Sequence, residues 1–243
     1  MITVLVVGVL MGTLIKMIAN LLIAETPILK IASWRTLNYR TLIPIFQWPY
    51  IKDRNSRREV VESMTLQIIA VTILLLLSFK YEMDFNRWEY TFCTFMLMII
   101  GYVDFKTTYV YRSTIWITAA GSLLFIVYEI LQTKEWPIDS LLGALIGFII
   151  IGLIVWLTGG MGEGDIEIGA VCGLMVGIKG ILLTLFIAFV LGGVVGVIIL
   201  ALRLKGKKDE IAFGPYLVLG CLITMLYGQK IIDIYLHTIG LNY

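Results

Sequence analysis

Apolar residues fall in long blocks along this chain, each separated from the next by a short cluster of charged or turn-forming residues. Blocks near twenty residues match the length a helix needs to cross the hydrocarbon core of a bilayer. The pattern predicts spans over about residues 2–24, 64–79, 88–103, 113–131, 138–158, 165–176, 181–202 and 211–227. A polar segment, 25–62, follows the first span, and a short amphipathic tail follows the last. The sixth block is too short to cross by itself and is broken from the seventh by Gly177-Ile178-Lys179-Gly180. The expected fold class is therefore all-α, a polytopic membrane protein of about eight transmembrane helices. Two regions are expected: 1–79, holding two spans and the loop 25–63, and 80–243, a helical core.

The distribution of positive charge decides whether the sixth and seventh blocks are one helix or two. With eight spans and the N-terminus outside, the loops 24–63, 105–112 and 203–210 are cytoplasmic and hold thirteen of the nineteen Lys and Arg residues. That is the positive-inside bias. Merging the two blocks would place the cluster from Arg203 to Lys208 outside. Eight spans are retained, and the first block, which lacks a basic leader and a small-residue cleavage pattern, is read as a kept span.

Composition narrows the chemistry. The chain is 59% hydrophobic with a mean hydropathy of +0.93, only 15% of its residues are charged, and the net charge is +2. Membrane lipid is the expected surroundings, and nucleic acid is not an expected partner. Cys93, Cys172 and Cys221 all fall inside apolar blocks and read as small packing residues rather than disulfides. The single histidine, His237, leaves no donor set for zinc and no base for a Ser-His or Cys-His triad. No metal is expected, and carboxylates must carry any catalysis.

Two carboxylates stand out. Asp165 follows the stretch Gly159-Gly160-Met161-Gly162-Glu163-Gly164, at the head of an apolar helix. An ionisable residue at the centre of a membrane helix costs at least about 2.5 to 3.5 kcal/mol, so such a residue is functional by default. Gly162 and Gly164 allow close backbone approach at that turn. In the eight-span topology the third span runs inward and ends on Asp104, and the turn after the inward-running fifth span presents Asp165. Both acids then lie at similar depth at the cytoplasmic face. Two carboxylates sharing a site hold one proton between them, so one can take a proton from water while the other polarises a peptide carbonyl. Plainer roles exist for the same residues: Asp165 as the N-cap of the sixth span, Gly159 and Gly160 as the C-cap of the fifth, and Asp104 as a boundary residue. Gly192, Gly193 and Gly196 read as a helix-packing face.

Gly162-Glu163-Gly164-Asp165 resembles the G-x-G-D of the type IV prepilin peptidases, bacterial membrane aspartyl peptidases, and Asp104 falls where that family's first catalytic aspartate ends a helix. Gly12-Thr13-Leu14-Ile15 is similar to the family's G-S-F-L, Leu42-Ile43-Pro44-Ile45-Phe46-Gln47-Trp48 to its N-I-P-L-x-S-W, Arg57 to Glu62 to its R-Y-P-x-V-E, and Phe213-Gly214-Pro215 to its F-G-P. The segments follow in the family's order over nearly the whole chain.

The resemblance implies an eight-helix enzyme of the bacterial cytoplasmic membrane that cuts basic leader peptides from prepilins and pseudopilins on the cytoplasmic side. It makes Asp104 and Asp165 the catalytic pair and requires no cofactor for peptide cleavage. Many members also methylate the new N-terminus with S-adenosylmethionine and hold zinc on four loop cysteines. This chain lacks those cysteines and carries Lys16, Glu59, Tyr111 and Glu167 where the family pattern has Asn, Pro, Pro and Lys. These departures bear on methylation and substrate detail more than on proteolysis. Presenilin-type proteases share G-x-G-D but pair it with Tyr-Asp and Pro-Ala-Leu; here Val103 precedes Asp104 and Pro-Ala-Leu does not occur. A small transporter using the two acids as a proton relay is the alternative from another class.

Overall fold

In a computed structural model, the structure describes residues 2–23, 54–81, 85–202 and 212–238. The resembling motif at 42–48, most of the loop 25–63 and the basic loop 203–210 lie outside the described residues. Among the described residues there are seven helices: α1 (Ile2–Ile23), α2 (Arg54–Lys80), α3 (Phe85–Thr107), α4 (Arg112–Thr133), α5 (Ile138–Thr158), α6 (Glu163–Ala201) and α7 (Gly214–Thr238). All but α3 are long and apolar enough to cross a membrane. The chain is a multi-pass, all-helical membrane protein.

Helix α6 is two helices in one run. Its residue Gly177 has φ 68° and ψ −172°, outside helical geometry and in a region that favours glycine. A side chain at Gly214 would begin 2.8 Å from Ile168 Cδ1, while one at Gly192 would begin 3.1 Å from the ring of the adjacent Phe213. In a straight helix residues 168 and 192 stand about 36 Å apart, at about 1.5 Å per residue. Neighbouring residues cannot touch both, so the chain reverses at Gly177. The break expected at 177–180 is therefore a hairpin between α6a, before Gly177, and α6b, after it. Asp139 at the start of α5 fastens this turn, its Oδ1 accepting the Ile178 N–H at 3.3 Å.

The chain divides into two compact units, Met1–Phe95 and Met96–Tyr243, with the division inside α3. In the first unit α1 and α2 pack antiparallel. A Cβ at Gly8 would begin 2.8 Å from Val71 Cα, and one at Gly12 would begin 2.6 Å from Gln67 Cα. Gln67 Nε2 donates to Thr13 Oγ1 at 2.8 Å, and Lys16 Nζ donates to the Glu59 carbonyl. Lys16 thus faces the partner helix.

In the second unit α5 packs antiparallel on α6a through glycine against glycine. A Cβ at Gly143 would begin 2.6 Å from Gly177 C, and one at Gly169 would begin 3.2 Å from Gly147 O. Both helices carry Gly-x-x-x-Gly, which lets backbones meet without side chains between them. The packing face expected at 192–196 is only partly present. Gly192 lies against Phe213 and Tyr216, but a Cβ added at Gly193 or Gly196 would meet no described atom of another element within 4 Å. Helix α6b packs antiparallel on α7, with Thr184 Oγ1 donating to Thr224 Oγ1 at 3.1 Å in a buried bond.

Two ends differ from the hydropathy pattern. Helix α2 begins at Arg54, well before its apolar stretch, because charged straight-chain residues are good helix formers and Arg58 Nε pairs with Glu62 at 3.3 Å one turn on. Helix α7 continues through the expected tail to Thr238. Polarity ends a membrane segment but not a helix.

Candidate active site

Asp104 lies in the last turn of α3, and the Thr108 N–H returns to its carbonyl at 2.8 Å as the helix closes. Its side chain is buried, with the residue only 4% exposed, so it is not an ordinary boundary residue. Asp165 is the third residue of α6, is equally buried, and is reached through a turn that the sequence dictates. Gly159 closes α5 in the left-handed conformation, φ 57°, with its N–H on the Val155 carbonyl at 2.9 Å. That is the expected C-cap. Asp165 is not the N-cap, since it sits inside the helix. Its Oδ2 accepts the Gly162 N–H at 3.2 Å, the reach-back half of a capping box.

The two acids meet at a third element. Their carboxylates act on one another electrostatically, and the backbone N–H of Gly214, at the start of α7, is directed at both. Amides in the first turn of a helix have no partner within it and carry partial positive charge. A Cβ at Gly214 would begin 3.0 Å from Asp104 Cγ, so only glycine admits this approach. Asp104 Oδ2 still has no hydrogen-bond partner of normal geometry among the described residues, so the amide faces it without completing a bond. A buried carboxylate oxygen left open costs stability. It is also what a reacting group would use.

The two glycines before Asp165 differ in what they require. A Cβ at Gly164 would begin 2.6 Å from Val110 Cγ2, so Gly164 is there for the close approach of the α3–α4 connection. At Gly162 the nearest atom would be Asp165 Oδ2 at 3.9 Å, and the residue is exposed. Its face beside the acid is open. Glu167 pairs with Arg112 Nε at 3.3 Å. Sequence reasoning did not assign Gly214, Val110 or Arg112 to the site. Phe213-Gly214-Pro215 was the available signal for the first; no pattern marks the other two.

The fold and this geometry define the class: a polytopic helical membrane protein with a buried aspartate pair joined at a helix N-terminus. The segment 91–197, which holds both acids and their turn, matches the model of the type IV leader peptidase family. A protein of Xanthomonas campestris pv. campestris named prepilin leader peptidase/N-methyltransferase is 27% identical over 213 residues, covering 82% of this chain and 72% of the relative. Proteins of the same name from Bacillus subtilis and Pseudomonas aeruginosa are 33% and 36% identical, over 41% and 42% of this chain and 42% and 37% of their own lengths. No solved structure matches. Over the segment that holds both acids, this chain is similar to the type IV leader peptidase family.

The zinc that the resemblance implies for many members does not fit this chain. Its three cysteines are each buried within a helix, where a thiol packs as a small apolar group.

Proposed function

We propose that this protein is a membrane aspartyl endopeptidase that removes basic leader peptides from prepilins or pseudopilins, with Asp104 and Asp165 as its catalytic pair and Gly162 and Gly164 shaping the turn. The observation that carries this reading is the convergence of two buried carboxylates on one backbone amide, with one carboxylate oxygen left open. The match of residues 91–197 to a leader peptidase family and the similarity to prepilin leader peptidases favour a peptidase over a proton-relay transporter.

The chemistry follows from the pair. Two close carboxylates share one proton. The ionised one takes a proton from a water as that water attacks the scissile carbonyl, and the protonated one donates to the carbonyl oxygen. Collapse of the tetrahedral intermediate returns a proton to the leaving amine, and the pair is restored. The Gly214 amide holds negative charge on the acids without titrating. The open face at Gly162 admits an extended substrate backbone, which a helical substrate must adopt before it can be cut.

The site belongs to the cytoplasmic side of the bacterial cytoplasmic membrane, a reading supported by the positive-inside count. A basic leader followed by an apolar helix suits a substrate held between the charged loops and lipid. Methylation of the new N-terminus, with S-adenosylmethionine as donor, is proposed from the relatives' names, and the region 1–79 with its loop 25–63 would carry it. The region 80–243 would carry cleavage. The test is incubation of the purified protein with a prepilin-like peptide and mass spectrometry of the product's N-terminus. Cleavage that persists in either Asp104→Asn or Asp165→Asn removes that acid from the mechanism.

A further inference from the structure

The connection from α3 to α4 is short, 108–111, and is fastened at both ends to the segments that carry the two acids. Thr108 holds a left-handed conformation, φ 52°, rarely adopted by a β-branched residue, with its N–H on the Asp104 carbonyl at 2.8 Å. The Thr107 hydroxyl donates to the Val103 carbonyl at 2.9 Å and accepts the Tyr109 N–H at 3.2 Å. Beyond this anchor the chain crosses to α6. Val110 fills the space left by the missing side chain of Gly164, and Arg112 pairs with Glu167. These two contacts fall on either side of Asp165.

We infer that residues 108–112 form a strap that sets the separation of Asp104 and Asp165, and that Arg112 and Glu167 are positioning residues that hold its far end. The inference rests on the proposal that the two acids act as a pair. One end of the strap is covalently continuous with the Asp104 helix and locked to it by backbone and hydroxyl bonds. The far end is held by one small packing contact and one ion pair whose side chains are 73% and 33% exposed. Such a pair is weak and screened by salt, so the far end is the adjustable one. Neither Arg112 nor Glu167 needs to touch substrate. Small displacements of catalytic groups cost rate out of proportion to the contact that held them.

The test uses the full-length protein and a prepilin-like peptide. Arg112→Ala and Glu167→Ala are each expected to lower kcat about three- to tenfold with KM changed less than about twofold, the range of a weak pair amplified through geometry. Added sodium chloride should lower kcat of the unaltered protein toward that of Arg112→Ala, whose kcat should be flat with salt. The exchanged pair R112E/E167R should recover most of the lost kcat, which a role in packing alone would not allow. Unchanged kcat in both single variants, or a change confined to KM, overturns the inference. Because the salt titration is run on the unaltered protein, a variant that fails to fold leaves the test intact. If Asp104→Asn and Asp165→Asn, run alongside, both still cleave, it is the proposed function that fails; if both are inactive while the Arg112 and Glu167 variants are normal, only the strap fails.

Discussion

Asp104 and Asp165 converge on a single backbone amide, that of Gly214, although they come from different helices and the amide belongs to a third. The proposed catalytic pair is therefore assembled by three chain segments at one level of the second unit. Its geometry depends on the hairpin at Gly177, because that reversal brings α7, packed along α6b, back to the level of Asp165.

Replacing either acid by its amide is expected to reduce cleavage by about a hundred- to ten-thousand-fold, the range for a positioned acid or base. Initial rates on a prepilin-like peptide measure it. The double variant should be no worse than the worse single variant, since the two act as a unit.

Cleavage should follow a bell in pH. Below the lower apparent pKa of the pair both acids are protonated and none can take a proton from water; above the higher one both are ionised and none can donate. A rate that rises without a second limb across the stable range would contradict the shared proton.

Gly214→Ala should impair both stability and activity. The added methyl would begin 2.8 Å from Ile168 Cδ1 and 3.0 Å from Asp104 Cγ, and overpacking of this kind costs about 1–3 kcal/mol. Thermal unfolding in detergent reports the first effect and residual cleavage the second. Gly162→Ala, whose new methyl would have 3.9 Å to its nearest neighbour, should leave the melting temperature within a degree or two and act on KM instead.

Asp139 can be separated from catalysis. Its carboxylate accepts the Ile178 N–H at the turn between α6a and α6b, so Asp139→Ala should cost about 0.5–2 kcal/mol, the range for losing a helix-capping oxygen. The melting temperature should fall while kcat, measured well below it, is retained. A large loss of kcat at unchanged stability would show that the turn does more than hold the fold.

Much of this was legible before any coordinates. Long apolar blocks specify helices in a membrane because lipid offers the backbone no other hydrogen-bond partners. The acid after a glycine turn was visible because such a charge is costly without a use. Charge asymmetry argued for a reversal near 177, which depends on Gly177 adopting a conformation that other residues avoid. Tertiary structure alone decided which surfaces meet. Gly143 and Gly147 face Gly169 and Gly173, while Gly193 and Gly196, alike in the sequence, have no described neighbour within reach. Gly214 became part of the site only when α7 packed along α6b and set a helix N-terminus beside two acids. Val110 and Arg112 are an ordinary valine and arginine until the α3–α4 connection crosses the head of α6. Spacing along a chain reports periodicity and cost, which are local properties; the meeting of distant side chains depends on how whole helices pack, and no single residue encodes that.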